Sequence, residues 1–348
     1  MEIYSTNNLV TVVKKAPAAP TFLGERYFPT TSRDIFKGPK VFIERTDEGN
    51  LAAPFVVPYS GSKLMEREAY TGEELEPAFI NPARDMTVDI LRKKGIGETE
   101  FDDVAPEERE QAYLAGDLVW LQKSITRTCE WMRGQILTKG YVDCEVGGSA
   151  EDAKAVRLQF YRDSFANKFT VATKWSEGGD IYGDITKIAN DIDGEYGDLD
   201  VILGKNLVAQ FVEDEKILKM LNVANAVFGA IEPGSNLPDG VGYIGHVNFG
   251  GRDCNIYSYN AKAKVDGVET YYIDPDALVV LPRAGFGATK YAAITQMEED
   301  GHFHTRSGEI VPRYVADINN SQRKLEAASS PLPCPNAWDS WRVCFPNE

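Results

Sequence analysis

Positive charge is in short supply: 37 Lys and Arg stand against 53 Asp and Glu, a formal charge of −16 over 348 residues. Binding a nucleic-acid backbone by charge needs clustered Lys and Arg. The clusters present, Lys14-Lys15, Arg92-Lys93-Lys94 and Arg323-Lys324, are short and scattered, and read as solvated faces or helix ends. Histidine is scarcer still, with three copies. His302 and His304 alternate along one side of a strand with no nearby Cys or third His, a poor zinc set. His246 stands alone, and none of the three accompanies a nucleophile motif. The five cysteines have no CxxC spacing, which argues against a disulfide framework and for a reducing cytoplasm. No apolar run approaches the ~18 residues of a membrane span. Met1 to Ala16 lacks a basic start followed by an apolar block, so no secretory leader is expected.

Two motifs remain that suggest chemistry. Gly240-Val241-Gly242-Tyr243-Ile244-Gly245 matches GxGxxG, but a dinucleotide fingerprint follows a strand and opens a helix. Here a proline- and glycine-bearing stretch precedes it and a β-like stretch, residues 246–251, comes after, so glycine-rich turns between short strands are the better account. Asp191, Asp193, Glu195, Asp198 and Asp200 form an acidic cluster. Counted from Asp191, Gly194 stands fourth instead of sixth, so the EF-hand register fails. A solvated loop is expected there, with a weak cation site as the alternative. No cofactor, resident metal or catalytic residue is expected, and an empty chemical inventory in a well-patterned chain, 43% hydrophobic, points to a structural role.

What the chain has in quantity is pattern. Across residues 106–138, Leu114, Leu118, Leu121, Ile125, Cys129, Met132 and Ile136 recur at three- and four-residue steps and fall on one helix face. Tyr113, Trp120 and Trp131 widen the stripe. Glu107, Glu108 and Glu110 at the start, and Arg127, Arg133 and Lys139 near the end, suit the helix dipole. Such a rod is roughly 50 Å long at 1.5 Å per residue, and its tryptophans favour packing on one sheet over a coiled coil.

Before it, Thr6 opens a short helix to Lys15 with Leu9, Val12 and Val13 on one face. An extended aromatic segment, residues 21–29, then makes the chain begin as an arm. A strand at 41–45 precedes a proline-rich stretch, 51–84, with β-like pieces at 55–57 and 78–80 and a charged tip between them. So long a loop within one compact unit argues against itself; a two-armed β excursion onto another subunit removes the objection. Residues 86–91 are strand-like, and 156–160 and 169–171 alternate as half-buried antiparallel strands do.

From Asp180 the chain reads as a separate α/β unit. It comprises a helix to Asp191, a buried strand at 199–204 and a helix capped by Asn206 to Leu221. Strands at 254–259 and 268–273 flank Asp266-Gly267, and another spans 277–281. Residues 291–297 return toward the first unit, and the tail is proline-broken and then strand-like.

Several stretches carry a family resemblance: Thr21-Phe22-Leu23 with Tyr27-Phe28-Pro29, Ala53-Pro54-Phe55-Val56-Val57-Pro58, and Phe79-Ile80-Asn81-Pro82-Ala83-Arg84. Late in the chain, Tyr272-Ile273-Asp274-Pro275-Asp276-Ala277-Leu278-Val279-Val280-Leu281-Pro282 and Ser330-Pro331-Leu332-Pro333 join them. In order and spacing these resemble the lambda-like phage major capsid protein E family, over nearly the whole chain. The resemblance implies an α+β fold, the tailed-phage and herpesvirus major capsid (Johnson) fold. It implies an N-terminal arm at 1–35 and a strand plus extended β-hairpin loop at 36–98, with its tip near 59–76. It further implies a peripheral domain from 99–179 and 298–348 around the spine helix, and an axial domain at 180–297.

The function implied is that of a head protein assembling as pentamers and hexamers into an icosahedral shell around double-stranded DNA, in the host bacterial cytoplasm. Its partners would be its own copies, a separate scaffold protein, a portal and a decoration protein. Contacts between subunits would come from Lys63, Arg67, Glu68, Tyr70, Glu73 and Glu74 of the loop and from Phe22, Tyr27 and Phe28 of the arm. Leu114, Leu118, Leu121, Ile125, Met132 and Ile136 would form the spine-helix core. A bacterial protein-cargo nanocompartment shares this fold and stands as the alternative. A nucleotide-dependent enzyme would need the glycine run to bind a nucleotide.

Overall fold

Residues Pro106–Lys139 form one continuous helix of 34 residues. It ends where Gly140, at φ 75°, takes the left-handed conformation and returns its N–H to the Ile136 carbonyl at 2.9 Å, the glycine stop that closes many helices. This computed structural model describes residues 6–15, 21–46, 70–92, 106–146, 154–159, 166–192, 197–223, 237–238, 240–265, 267–298, 301–317 and 322–348.

In chain order, α1 (Thr6–Lys15) and the short α2 (Phe22–Arg26) precede β1 (Val41–Thr46), β2 (Tyr70–Leu75), β3 (Ala83–Thr87) and α3 (Val88–Arg92). The long helix is α4, followed by β4 (Tyr141–Val146), β5 (Lys154–Gln159) and β6 (Lys168–Phe169). Then come α5 (Ile181–Asp191), β7 (Leu199–Gly204), α6 (Leu207–Glu213), α7 (Glu215–Val223) and β8 (Val241–Phe249). After these lie β9 (Arg252–Tyr259), β10 (Lys262–Val265), β11 (Val268–Tyr271) and β12 (Leu278–Pro282). The chain closes with β13 (Gly287–Tyr291), β14 (Ile294–Met297), β15 (Phe303–Arg306), β16 (Val311–Asp317), β17 (Gln322–Ala328), β18 (Pro331–Pro335) and β19 (Arg342–Cys344).

All seven stripe residues of α4 are buried, but the helix does not lie on a single sheet as its pattern suggests. Leu114, Leu118, Leu121, Ile125 and Cys129 pack with Leu9 and Val13 of α1 and with Tyr314, Leu325 and Ala327 of β16–β17. Met132 and Ile136 pack with Val41 and Ile43 of β1, Val142 and Leu158 of β4–β5, and Leu332 of β18. Leu137 reaches a third cluster under the largest sheet. The beam is long because it joins three separate cores. Trp120 stays half exposed, with the Arg84 guanidinium 3.9 Å from its ring centroid and bonded to Asp117 at 2.6 Å. Burial pushes the Cys129 thiol up to about 11, so it behaves as a core residue and not a nucleophile.

The largest sheet has six strands in the order β6-β19-β12-β7-β9-β8. β7 and β12, buried at every position, are its centre. Side chains alternate across a strand: Val201 and Leu203 face Ile185, Ile188, Leu207 and Phe211 of the helices. Ile202 faces the other way, toward Phe22, Leu23, Tyr27 and Phe28. Burial on both faces explains why 199–204 is apolar but for Asp200, whose carboxylate is met by buried partners.

The sheet also takes in β6 and β19, which lie outside 180–297, and β6 pairs with β19 in parallel, not in the expected antiparallel sense. The glycine of Asp266-Gly267 sits in the turn between β10 and β11, whereas β9 pairs with β7 and β8. The expected second helix splits at Asp214, whose Oδ1 accepts from Lys216 N and Ile217 N at 2.9 and 3.0 Å and so starts a new helix. The proline-bearing tail segment is itself a strand. Pro331, Pro333 and Pro335 alternate along β18, so its ladder with β13 uses the N–H groups of Leu332 and Cys334, and its other side has no donor to strand against α4.

Helix α5 begins as its sequence suggests. Asp180 Oδ1 accepts from Gly183 N at 3.1 Å and from Lys216 Nζ at 3.0 Å. Asp180→Ala is expected to cost about 1 kcal/mol, the ordinary value of an N-cap, read as a lower urea midpoint at unchanged slope.

Candidate assembly surface

The N-terminal segment is the first surprise. Residues 22–26 are helical rather than extended, and Phe22, Tyr27 and Phe28 are almost fully buried in their own chain, at 4%, 1% and 0% exposure. Phe22 packs against Tyr257 and Tyr259, and Phe28 meets Phe286 edge-on. Side chains so enclosed have no surface left for a neighbour. The arm assignment is corrected at these three positions.

Two buried carboxylates hold α2 in place. Glu130 of α4 accepts from Leu23 N at 2.7 Å and Tyr259 O–H at 3.1 Å through Oε1, and from Gly24 N at 3.1 Å and Arg133 Nη1 at 3.0 Å through Oε2. It thereby caps a helix more than 100 residues away in sequence, where Thr21 makes no side-chain cap of its own. Arg133 continues to the Thr289 hydroxyl at 2.9 and 3.2 Å, and that hydroxyl donates to Phe28 O at 3.1 Å. Burial acts to lower the Arg133 pKa, but Glu130, with smaller help from Cys129 and Tyr291, raises it on balance and keeps the guanidinium charged. Burial, then Glu130, pushes the Tyr259 phenol well up, so it stays a donor.

Asp200 does the same at the other end. It shares the β7 face of Ile202 and accepts from Arg26 Nε at 2.6 Å, Tyr27 O–H at 2.9 Å and Arg283 Nε at 3.2 Å. Asp198 binds Arg283 at 2.9 Å and Asp191 binds Arg342 at 2.5 Å, so three members of the acidic cluster are engaged by arginines. Asp193 and Glu195 lie outside the described residues. The glycine run 240–245 is the turn residue Gly240 and the first part of β8, antiparallel to β9. The run thus leads into a strand, and not into the helix whose N-terminus a pyrophosphate would need.

The residues on either side of the expected loop pair as a ladder of β1 on β2, with Val41 opposite Leu75 and Thr46 opposite Tyr70. Tyr70, Glu73 and Glu74 therefore belong to a strand and not to the tip, and Glu74 pairs with Lys40 of its own chain at 3.4 Å. Ala78-Phe79-Ile80 is no return strand; Ile80 makes a single bridge to Ser329. Lys63, Arg67 and Glu68, and the piece at 55–57, lie outside the described residues.

A free surface with apolar character stands on the β14–β15 hairpin. Thr295 lies opposite Thr305, and Met297 opposite Phe303. All four side chains point outward, Phe303 at 73% exposure, with the two hydroxyls 2.9 Å apart. The face carries no charge. On a chain of net charge −16, it is a surface that would set no like charges against a second copy.

A long beam, a helix-covered mixed sheet and a two-stranded β1–β2 ladder fit the Johnson fold of tailed phages that the sequence resemblance implies. Among solved structures, a prophage protein of E. coli CFT073 assigned to the capsid superposes at a TM-score of 0.68 with 17% identity, over 98% of each chain. A phage-related protein of Bordetella bronchiseptica RB50 gives 0.48 and 11%, covering 99% of this chain and 97% of that one. The SrpI encapsulin of Synechococcus elongatus PCC 7942 gives 0.42 and 9%, covering 97% and 95%. No curated protein sequence matches the chain. The sequence profile of phage major capsid protein E matches residues 5–342, and the chain belongs to that family. It is a shell protein of the phage head, a component of the virion capsid.

Proposed function

We propose that this chain assembles as pentamers and hexamers into the icosahedral shell that encloses a tailed phage's double-stranded DNA, and that it has no catalytic activity. The observation that carries the reading is the family match across residues 5–342. In this reading the six-stranded sheet with its helices is the axial unit at the capsomer centres, and α4 with its flanking strands is the peripheral one. Lys63, Arg67, Glu68, Tyr70, Glu73 and Glu74 of the extended loop contact a neighbouring subunit. A separate scaffold protein, a portal and a decoration protein are the further partners, and assembly takes place in the host bacterial cytoplasm. The DNA is held without sequence-specific contacts, since a net negative wall repels phosphate.

Co-expression with and without the neighbouring phage genes, followed by negative-stain microscopy and sedimentation, tests this. Closed shells holding DNA are expected. Only monomers under every salt, concentration and scaffold condition would overturn the reading, and shells filled with protein cargo would transfer it to the nanocompartment class.

The hairpin face supplies a sharper probe. Phe303→Glu is expected to leave the isolated subunit's unfolding midpoint unchanged, since an exposed substitution costs at most ~0.5 kcal/mol. Shell yield should fall at least tenfold, because the same carboxylate between two copies is a buried unpaired charge. Shells at normal yield would remove this hairpin from the set of contacts.

A further inference from the structure

Midway along α4 the surface opens into a cavity of about 400 Å³, many times the roughly 30 Å³ that one water occupies. Three stretches far apart in sequence build it: residues 21–30, the middle of α4, and Glu309 with Ile310. Glu25 and Glu309 stand exposed at its mouth, Ile125 and Ile310 supply aliphatic wall, and Gln122 lies deeper, at 8% exposure. The Gln122 Oε1 accepts no hydrogen bond among the described residues, whereas buried acceptors nearly always have a donor. Its neighbours are engaged elsewhere. Thr126 donates its hydroxyl to the Gln122 backbone carbonyl at 2.9 Å, and Arg133, also in the wall, is committed to Glu130 and Thr289. Arg26 is held by Asp200, while Arg33 and Lys37 are exposed and line no part of the cavity. The Glu309 charge reaches across it: after burial, Glu309 is among the groups that push the Cys129 thiol and the Tyr291 phenol up. The cavity thus offers negative charge outside, a bare acceptor inside and apolar wall between. With the Arg133 cation already buried beside it, a ligand's positive charge belongs at the mouth and a neutral donor at the Gln122 end.

We propose that this cavity binds a small aliphatic amine carrying a second, uncharged hydrogen-bond donor, in its simplest form an amino alcohol. The ammonium meets Glu25 and Glu309, the methylene chain lies on Ile125 and Ile310, and the O–H donates to Gln122 Oε1. Charge-assisted bonds at the mouth supply attraction. The inner donor supplies selectivity, because leaving a buried acceptor unpaired costs more than a made bond gains. A ligand so placed ties residues 21–30 and 309–310 to α4, and it stabilises the folded subunit by mass action. The site is independent of assembly, since every wall comes from one chain.

The probe is 5-amino-1-pentanol, titrated calorimetrically into the purified full chain in phosphate buffer. Saturable binding with a Kd on the order of 1 mM, the scale for so small a ligand, is expected, together with a higher thermal unfolding midpoint. Pentylamine, which lacks the inner donor, should bind about tenfold more weakly. The uncharged 1,5-pentanediol should give no saturable heat. Gln122→Leu removes the orphaned acceptor without touching charge; it should fold, still bind both amines, and no longer prefer the amino alcohol. Glu25→Gln with Glu309→Gln changes two exposed groups; it should fold normally and weaken the amino alcohol about fivefold or more. No saturable binding by the unaltered chain at about 10 mM would overturn the proposal. So would equal affinity for the two amines, or a Gln122→Leu chain that still tells them apart.

Discussion

Glu130→Ala is expected to abolish folding of the subunit, not merely its assembly. The substitution strips the cap from α2 and one partner from the Tyr259 hydroxyl, and it leaves Arg133 buried at 5% exposure with its carboxylate gone. Breaking a buried pair in this way costs about 3–5 kcal/mol, and each orphaned donor adds roughly 1–3 kcal/mol. The whole stability of a domain is about 5–15 kcal/mol. Glu130→Gln should fail nearly as badly, because its amide nitrogen would face the N–H groups that the carboxylate now accepts. Glu130→Ala with Arg133→Met should recover part of the loss. Soluble expression, circular dichroism and thermal unfolding measure all three. A folded Glu130→Ala subunit whose midpoint moves by no more than about 3 °C, roughly 1 kcal/mol, would mean the network contributes little.

The opposite outcome is expected for the loop. Because β2 begins at Tyr70 and pairs with β1, the excision that spares the subunit is Lys63 to Ala69, replaced by a short Gly-Ser turn; cutting as far as Glu74 would remove the strand paired with β1, whose Val41 and Ile43 pack with Met132 and Ile136. An exposed ion pair is worth only about 0–1 kcal/mol, so unfolding of the isolated chain should stay within ~0.5 kcal/mol of the unaltered protein. Shell formation should vanish or be misdirected, since a small term is lost at every copy at once. Sedimentation and microscopy read the second effect, denaturant unfolding the first. Normal shells would refute the loop's role. A subunit that no longer folds would show that 63–69 belongs to its own core.

These two outcomes also mark where sequence pattern suffices. The α4 stripe is legible because one face stays buried along the helix, and period alone encodes that. β7 and α5 are legible for similar reasons: two-sided burial makes β7 apolar at Leu199 and Val201–Leu203, and Asp180 is a local cap. Helix α2 is not legible. It has five residues, a glycine in the middle, and a cap contributed by Glu130 from another element; nothing in residues 21–29 announces it. β4 is equally hidden, since its apolar partners, Met132 and Leu158, are fixed only once α4 is packed. Glu130 and Arg133 carry a faint signal: charges three apart beside the buried Cys129 and Met132, one of which reads equally well as a dipole partner near the helix end. The family resemblance points to the right fold and places three aromatic residues of the arm outside a core that they in fact fill.

Curvature is where the α2 clamp has its widest consequence. A closed shell asks one chain to sit at different tilts to its neighbours, and something in the subunit must flex to allow it. The joint between beam and sheet is a poor hinge: α2 is bound to α4 by Glu130 and to β7 by Asp200, and Gly134 lies so near the Tyr272 carbonyl that an added Cβ would come within 1.8 Å of its oxygen. Rotation there would break buried charge-assisted bonds, each roughly twice as strong as a neutral one. Adjustment of tilt therefore falls on side chains at the rims, where contacts are exposed and inexpensive to rearrange.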